Sequence, residues 1–431
     1  MCISAPNAEC HQGVCGLANC LPDSLEFHQR VNEVVRFSYL AAIIIATQLL
    51  LVGCGLNNGM NNRYRAVPSA LAADLTFAHV ENARFAGEDV AVIRMEFERA
   101  VARWRFQAGS ATPATFLALS AGQEDGAFAA GLLVGWSEHG GRPEFQIVTG
   151  ASTGALAAPF AFLGPEFDWA LEAMYTRTGP DDIVDPRSMM AAVTNDAMMD
   201  SAPLARTIAK YLTQRVLQRI AEEYGKGRLL LISTTNLDSG KLVIWNIGAI
   251  AASENPDRLE LVRKIILASA AVPGLFPPVM IDATLKDGRY QEMHVDGGTV
   301  SQMFLYPPSL DMAAIIKRFA KRVRPVAYII RNGRVSPEPE EVERGTLQIA
   351  GRAVSTMIAS NAVGELYRIY MTTQRDHIDF KLALIESDFT EPYKRLFDRN
   401  YMSKLFAYGR AKSVAGYAWQ TTPPGFVPAP R

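Results

Sequence analysis

FQIVTGASTGALAAPFAFLG, residues 145–164, decides how this chain is read. Phe145–Val148 is a short apolar run that stops at a glycine, the pattern of a strand buried on both faces. From Ser152 onward the small and apolar residues carry no charge and read as a helix. Between them stands Gly150-Ala151-Ser152-Thr153-Gly154, a G-x-S-x-G pentapeptide. Strand, pentapeptide and helix together make a nucleophile elbow, whose sharp turn lifts the serine Oγ above the sheet edge. Gly150 and Gly154 give that turn its room. The first N–H groups of the helix favour negative charge developing beside Ser152. A serine here also serves as a simple helix N-cap. The strand before it and the helix after it tip the reading toward a nucleophile.

Working outward, the α/β alternation continues. TFLALSAG (115–122) is a second buried strand and GAFAAGLLVGWSEHG (126–140) a helix. The loop SAGQEDGAF (120–128) joins them, in a place to aim backbone N–H groups at an oxyanion. Upstream, 83–104 reads as a helix. Residues 165–228 read as a mostly helical, Met-rich insert. Met174, Met189, Met190, Met198 and Met199, with Phe160, Phe162 and Phe167, fit an acyl channel or plain core. Strands are expected over 227–240, 241–251, 289–298, 324–334 and 377–385. Helices are expected over 261–279 and 343–375, before a loose tail at 421–431.

A base must follow the serine. None of the six histidines stands in a catalytic motif. Asp296, at the end of the strand RYQEMHVDGG (289–298), is the better candidate, because α/β sites form beyond the carboxyl ends of parallel strands. Gly297 and Gly298 let the chain turn there, although Asp-Gly is also an ordinary β-turn pair.

These segments, in this order, resemble the patatin-like phospholipase family, which has a glycine-rich oxyanion loop, a GxSxG elbow and a D-G-G/A motif. ASAAVPGLFPPV (268–279) resembles that family's stretch before the aspartate strand. The resemblance implies a three-layer α/β sandwich, a mainly parallel central sheet flanked by helices. It implies a Ser-Asp dyad with Ser152 as nucleophile and Asp296 as base, and an acyl-enzyme intermediate. Oxyanion donors would come from Ala121, Gly122 and Gln123, and from Thr153. The substrate would be a phospholipid or another acyl ester, with no cofactor and no metal. One departure is visible. The family's loop opens GGG, whereas this chain has Ala121-Gly122-Gln123. Ala and Gln resist a left-handed φ that glycine adopts freely. A weak or inactive lipid-binding protein therefore stays open beside the hydrolase, as does a Ser-Asp-His triad using His377.

The N-terminus points to export. Phe37–Leu56 carries no charge and follows Arg36. Leu51-Val52-Gly53-Cys54 resembles a bacterial lipobox, which implies lipidation of Cys54; a spanning anchor is the alternative. The four other cysteines lie upstream. Residues 1–53 are read as an N-terminal extension plus signal peptide, with initiation expected near Val34 or Val35. Residues 54–110 are read as a tether and leading helix, and 111–420 as the catalytic domain. This arrangement predicts a lipid-anchored protein of the bacterial envelope, at the outer membrane facing the periplasm. A net charge of −1 offers nothing to nucleic acid.

Overall fold

Strands buried on both faces need apolar side chains pointing both ways, and the strands around Ser152 meet that demand. The computed structural model describes residues 64–68, 82–86, 90–108, 113–186, 196–285, 288–319, 324–335 and 341–427, with isolated positions at 75, 77 and 80. In chain order its elements are β1 (Arg84–Ala86), α1 (Val90–Ala108), β2 (Thr115–Leu119), α2 (Gly126–His139), β3 (Ile147–Gly150), α3 (Thr153–Leu163) and α4 (Asp168–Thr176). Next come the two-residue strands β4 (Asp185–Pro186) and β5 (Met199–Asp200), then α5 (Ala202–Tyr211), α6 (Gln214–Gly225), β6 (Leu229–Asn236), β7 (Lys241–Asn246), α7 (Ile247–Ala252) and α8 (Arg258–Ser269). The chain finishes with β8 (Val279–Leu285), β9 (Gly288–Asp296), α9 (Met312–Phe319), β10 (Val326–Arg331), α10 (Thr346–Arg375), β11 (Asp379–Leu384) and α11 (Arg399–Val414).

Nine strands form one sheet, ordered β1-β7-β6-β3-β2-β10-β11, with β9 beside β6 and β8 beside β9. The five strands β6, β3, β2, β10 and β11 run parallel. Side chains alternate across them. Leu117, Leu119, Val148, Leu230 and Ile232 join a core with α2, α3, α4, α6 and α8. Phe116, Ala118, Ile147, Leu229 and Leu231 join a second core with α1, α9 and α10. The result is three layers, helices on both faces of a mostly parallel sheet.

One pairing places the site. β3 stops at Gly150, opposite Ile232 of β6. Two residues on, the same edge of β6 is taken by β9, with Thr234 opposite Asp296. The end of β9 therefore arrives just beyond the end of β3, where Ser152 begins its turn.

Several expectations need correction. Arg84–Ala86 is not helical; it pairs antiparallel with β7. The Gln291 N–H donates to the Arg65 carbonyl at 2.9 Å, so parts of 54–110 belong to the sheet rather than to a tether. Residues 247–252 form a helix rather than continuing β7, because Asn246 caps it by accepting from the Ala249 N–H at 3.1 Å. The helix before the aspartate strand ends at Ser269, and 279–285 is a strand. Residues 421–427 are docked, not loose: Phe426 meets Tyr370 edge-on at 4.8 Å and the Tyr367 hydroxyl donates to the Pro424 carbonyl. The expected signal segment and Cys54 lie outside the described residues. Among the described residues no helix is long and apolar enough to cross a membrane.

Candidate active site

Ser152 turns with φ +54° and ψ −124°, a conformation that costs a non-glycine residue about 1–3 kcal/mol. Neighbours hold it there. The Ala151 N–H donates to the Leu119 carbonyl, the Ser152 N–H to Ser269 Oγ at 3.0 Å, and the Gly154 N–H to the Ala151 carbonyl at 2.8 Å. The two glycines serve close approach rather than special dihedrals. A Cβ on Gly150 would stand 2.6 Å from the Gly154 carbonyl oxygen, and one on Gly154 2.3 Å from that of Leu119.

Asp296 is buried beside it. Its N–H donates to the Ala271 carbonyl at 2.9 Å, and its Oδ1 accepts from the Gly298 N–H at 2.6 Å. Its Oδ2 is buried with no hydrogen-bond partner among the described residues. Burial pushes the carboxyl up to about 7, against the pull of the Ser152 hydroxyl and the Gly298 N–H. Such a group can take a proton near neutrality and return it. Gly297 leaves no room for a side chain, since its Cβ would stand 2.5 Å from Ser233 Oγ.

The loop after β2 is the third part. Gly122 has φ +155° and Gln123 φ +50°, so the substituted position does adopt the left-handed conformation. The Ala121 N–H donates to the Gln302 carbonyl at 2.8 Å. That corrects one expectation: Ala121 is a structural member of the loop, with no N–H left for an oxyanion. The N–H groups of Gly122, Gln123 and Thr153 donate to no acceptor among the described residues. Tyr175 fixes the start of α3, its hydroxyl meeting Thr153 Oγ1 at 2.7 Å and donating to the Thr153 carbonyl at 3.0 Å.

Sequence reading missed the braces. Asn332 donates from its backbone to Ser120 Oγ and from Nδ2 to the Ser120 carbonyl, and accepts from the Ala129 N–H. Gln302 joins the loop to the aspartate turn, its carbonyl on Ala121 and its Nε2 donating to the Gly298 carbonyl at 2.7 Å. Glu124 was also unmarked. It is buried, its Oε2 lacks a partner among the described residues, and burial pushes it up to about 7. Its own backbone N–H opposes that rise, Asp125 adds to it, and Tyr393 opposes it.

A narrow cleft, with an internal volume of about 50 Å³, opens from Gln123, Glu124, Ser152 and Thr153 into an apolar wall that includes Leu156, Met174, Ile208, Val272, Phe276, Phe397 and Met402. Its apolar lining with a few polar groups at one end has the character of a ligand site. Of the residues expected to line a channel, Met174 does so. Phe160, Phe162 and Phe167 lie in the core, Met198 is exposed, and Met189 and Met190 lie outside the described residues. His377 precedes β11, so it stands at the amino ends of the parallel strands, opposite Ser152, and is excluded as a partner. Both nitrogens of buried His294 are engaged, with Thr234 Oγ1 and Glu292 Oε2. Among the described residues no His/Cys/Asp/Glu group is arranged to hold a metal.

A family model described as patatin-like phospholipase matches residues 117–307, the span from β2 past the Asp296 turn. Over these residues the chain is similar to patatin-like phospholipases. The patatin family acts on lipid acyl esters. Among solved structures the chain aligns with the crystal structure of VipD from Legionella pneumophila, at 13% identity and a TM-score of 0.31, over 71% of this chain and 67% of that one. No curated protein matches. The matched span contains every described part of the site except Asn332 and the pocket residues from α11 and the segment before it.

Proposed function

We propose that this chain hydrolyses lipid acyl esters through a Ser152–Asp296 dyad and an acyl-enzyme. Asp296 takes the Ser152 proton as Oγ attacks the ester carbonyl. The N–H groups of Gly122, Gln123 and Thr153 receive the oxyanion. The alcohol leaves with the proton held by Asp296. Water, deprotonated by the same carboxylate, then releases the fatty acid. The acyl chain lies along the apolar wall below Ser152. The observation that carries this reading is the buried, unpartnered Asp296 Oδ2 beside a serine held in a strained turn. Phospholipase A, lysophospholipase and lipase activities all fit it. A weak or purely lipid-binding protein is the second reading, favoured by the Ala121 N–H being spent and Gln123 standing in a left-handed conformation.

The deciding experiment follows acid release from a fluorogenic medium-chain ester and from phospholipid, wild type beside Ser152→Ala. Loss of about 10⁴-fold or more is expected. Equal turnover by the two proteins sinks the dyad. Folded wild type that binds lipid but releases no acid selects the second reading. We further propose that Cys54 carries a lipid anchor at the outer membrane, facing the periplasm, supported by the uncharged run Phe37–Leu56 ending at Leu51-Val52-Gly53-Cys54. Metabolic labelling with a radiolabelled fatty acid tests this; label retained by Cys54→Ser rejects it.

A further inference from the structure

Helix α10 is longer than the sheet it packs on. Its 30 residues span about 45 Å, whereas β10 and β11, which it connects, have six residues each, about 20 Å. A helix between two parallel strands runs against them, so its surplus length leaves from the carboxyl edge, the edge that holds Ser152 and Asp296. Burial agrees: from Ala362 onward α10 contributes to the core, while every described side chain from Thr346 to Asn361 is exposed or half-exposed. The overhang begins level with the Asp296 turn, where Asn361 Nδ2 donates to the Val300 carbonyl.

This overhang is amphipathic in its own right. Ile349, Ala353 and Met357 stand one above another, with Ala350, Val354 and Ile358 alongside, while Gln348, Arg352 and Ser355 take the opposite arc and Thr356 borders Ile349. Ile349 is 55%, Val354 51% and Met357 66% exposed. At about 100° per residue, the apolar arc is turned well away from the stripe of Ala362, Leu366 and Ile369 that packs on the sheet. The packed half of the helix therefore cannot bury it.

We propose that this face of α10, Ile349 to Ile358, seats in the interfacial layer of a phospholipid surface next to the site. Three turns of helix offer on the order of 200 Å², far short of the roughly 800 Å² per partner of a stable dimer. The same area suits a helix lying in the headgroup boundary. Within the helix charge does not oppose this, because Thr346–Gly364 contains no acid and one base, Arg352; Glu338, Glu340, Glu341 and Glu343 stand just before it. The assignment of lipid as occupant rests on the lipid-hydrolase reading.

The test uses the full chain as Ser152→Ala, which leaves vesicles intact, carrying Met357→Trp. Vesicles of mixed zwitterionic and anionic phospholipid have brominated acyl chains. Emission of the added tryptophan, taken as the difference from the same protein without it, should shift to the blue and be quenched on mixing. A protein that floats with the vesicles while this emission stays unchanged overturns the proposal, as does a protein that does not float. In an otherwise wild-type chain, Ile349→Glu with Met357→Glu should lower the ratio of vesicle phospholipid turnover to soluble short-chain ester turnover about tenfold or more. An unchanged ratio, with the pair instead splitting a dimer in sedimentation, assigns the face to a second copy. If the parent hydrolyses neither substrate, the hydrolase reading fails and the quenching arm still decides the helix.

Discussion

The turn after β3 and the loop after β2 stand side by side at one sheet edge, and each holds a non-glycine residue at positive φ. At Ser152 the strain accompanies a side chain that the proposed chemistry needs. At Gln123 the neighbouring N–H is what the site needs, and glycine would supply it without strain. The elbow is fixed from all sides by Leu119, Ser269 and Ala151. The loop is braced by Asn332 and Gln302 instead. Strain is thus kept by external bracing in both places, yet only at the elbow is the strained side chain itself expected to react.

The largest way to break this contrast is at the partner of the elbow. Asp296→Asn should lower kcat/KM by about 10³–10⁴-fold with the fold intact by circular dichroism. It should also change stability with a defined sign. The folded carboxyl titrates at about 7, above the unfolded value near 4, so the folded state keeps a proton that the unfolded chain has released. Wild-type stability then falls as pH rises from about 4 through 7, and Asn removes that fall. Thermal melts of both proteins across that range check it. An Asn variant with wild-type turnover would remove Asp296 from the mechanism.

Next comes the loop. A Cβ on Gly122 would stand 2.1 Å from the Asn332 carbonyl oxygen, so Gly122→Ala must displace the backbone. A loss of about 100-fold or more in kcat is expected, from one misplaced donor. Smaller is the pH effect. Activity should rise through about pH 7 as Asp296 ionises, since the protonated acid cannot accept the serine proton. Glu124 ionises in the same range, beside the loop. Glu124→Gln should preserve the acid limb of the kcat/KM profile; losing it would move that limb to the loop.

The smallest and sharpest pair is Ser152→Gly against Gln123→Gly. Both relieve a positive φ, and each should raise stability by about 1 kcal/mol or less, after the extra entropy of glycine in the unfolded chain. Only Ser152→Gly should abolish turnover, while Gln123→Gly should keep it within a few-fold. A large loss at Gln123 would give its side chain, which faces the cleft, a direct part in binding.

The sequence showed the centre of this fold well because β2, β3 and β6 are buried on both faces and each carries a short apolar run, FLAL, IV and LLLI. It showed the elbow because strand, pentapeptide and helix are contiguous. Elements defined by a distant neighbour stayed hidden. Arg84–Ala86 becomes a strand only through β7. Asn332 looks like a turn residue until β10 is laid beside β2, which sets its amide on Ser120. Glu124 looks like a solvated acid until α11 and the segment before it bring Met402 and Phe397 over the cleft. Asn246 did carry a local signal, an N-cap before IGAIA, which the apolar run around it masked.

The sheet ends at β11, and Gln420 closes its outer side by exchanging two backbone hydrogen bonds with Leu382, at 2.8 and 3.0 Å. The segment around Gln420 therefore acts as a guard on a strand, DFKLAL, whose outer edge would otherwise invite another chain to add to it. A chain cut after Trp419 should remain catalytic when dilute yet self-associate with concentration and time, the fate of a sheet left without a selvedge.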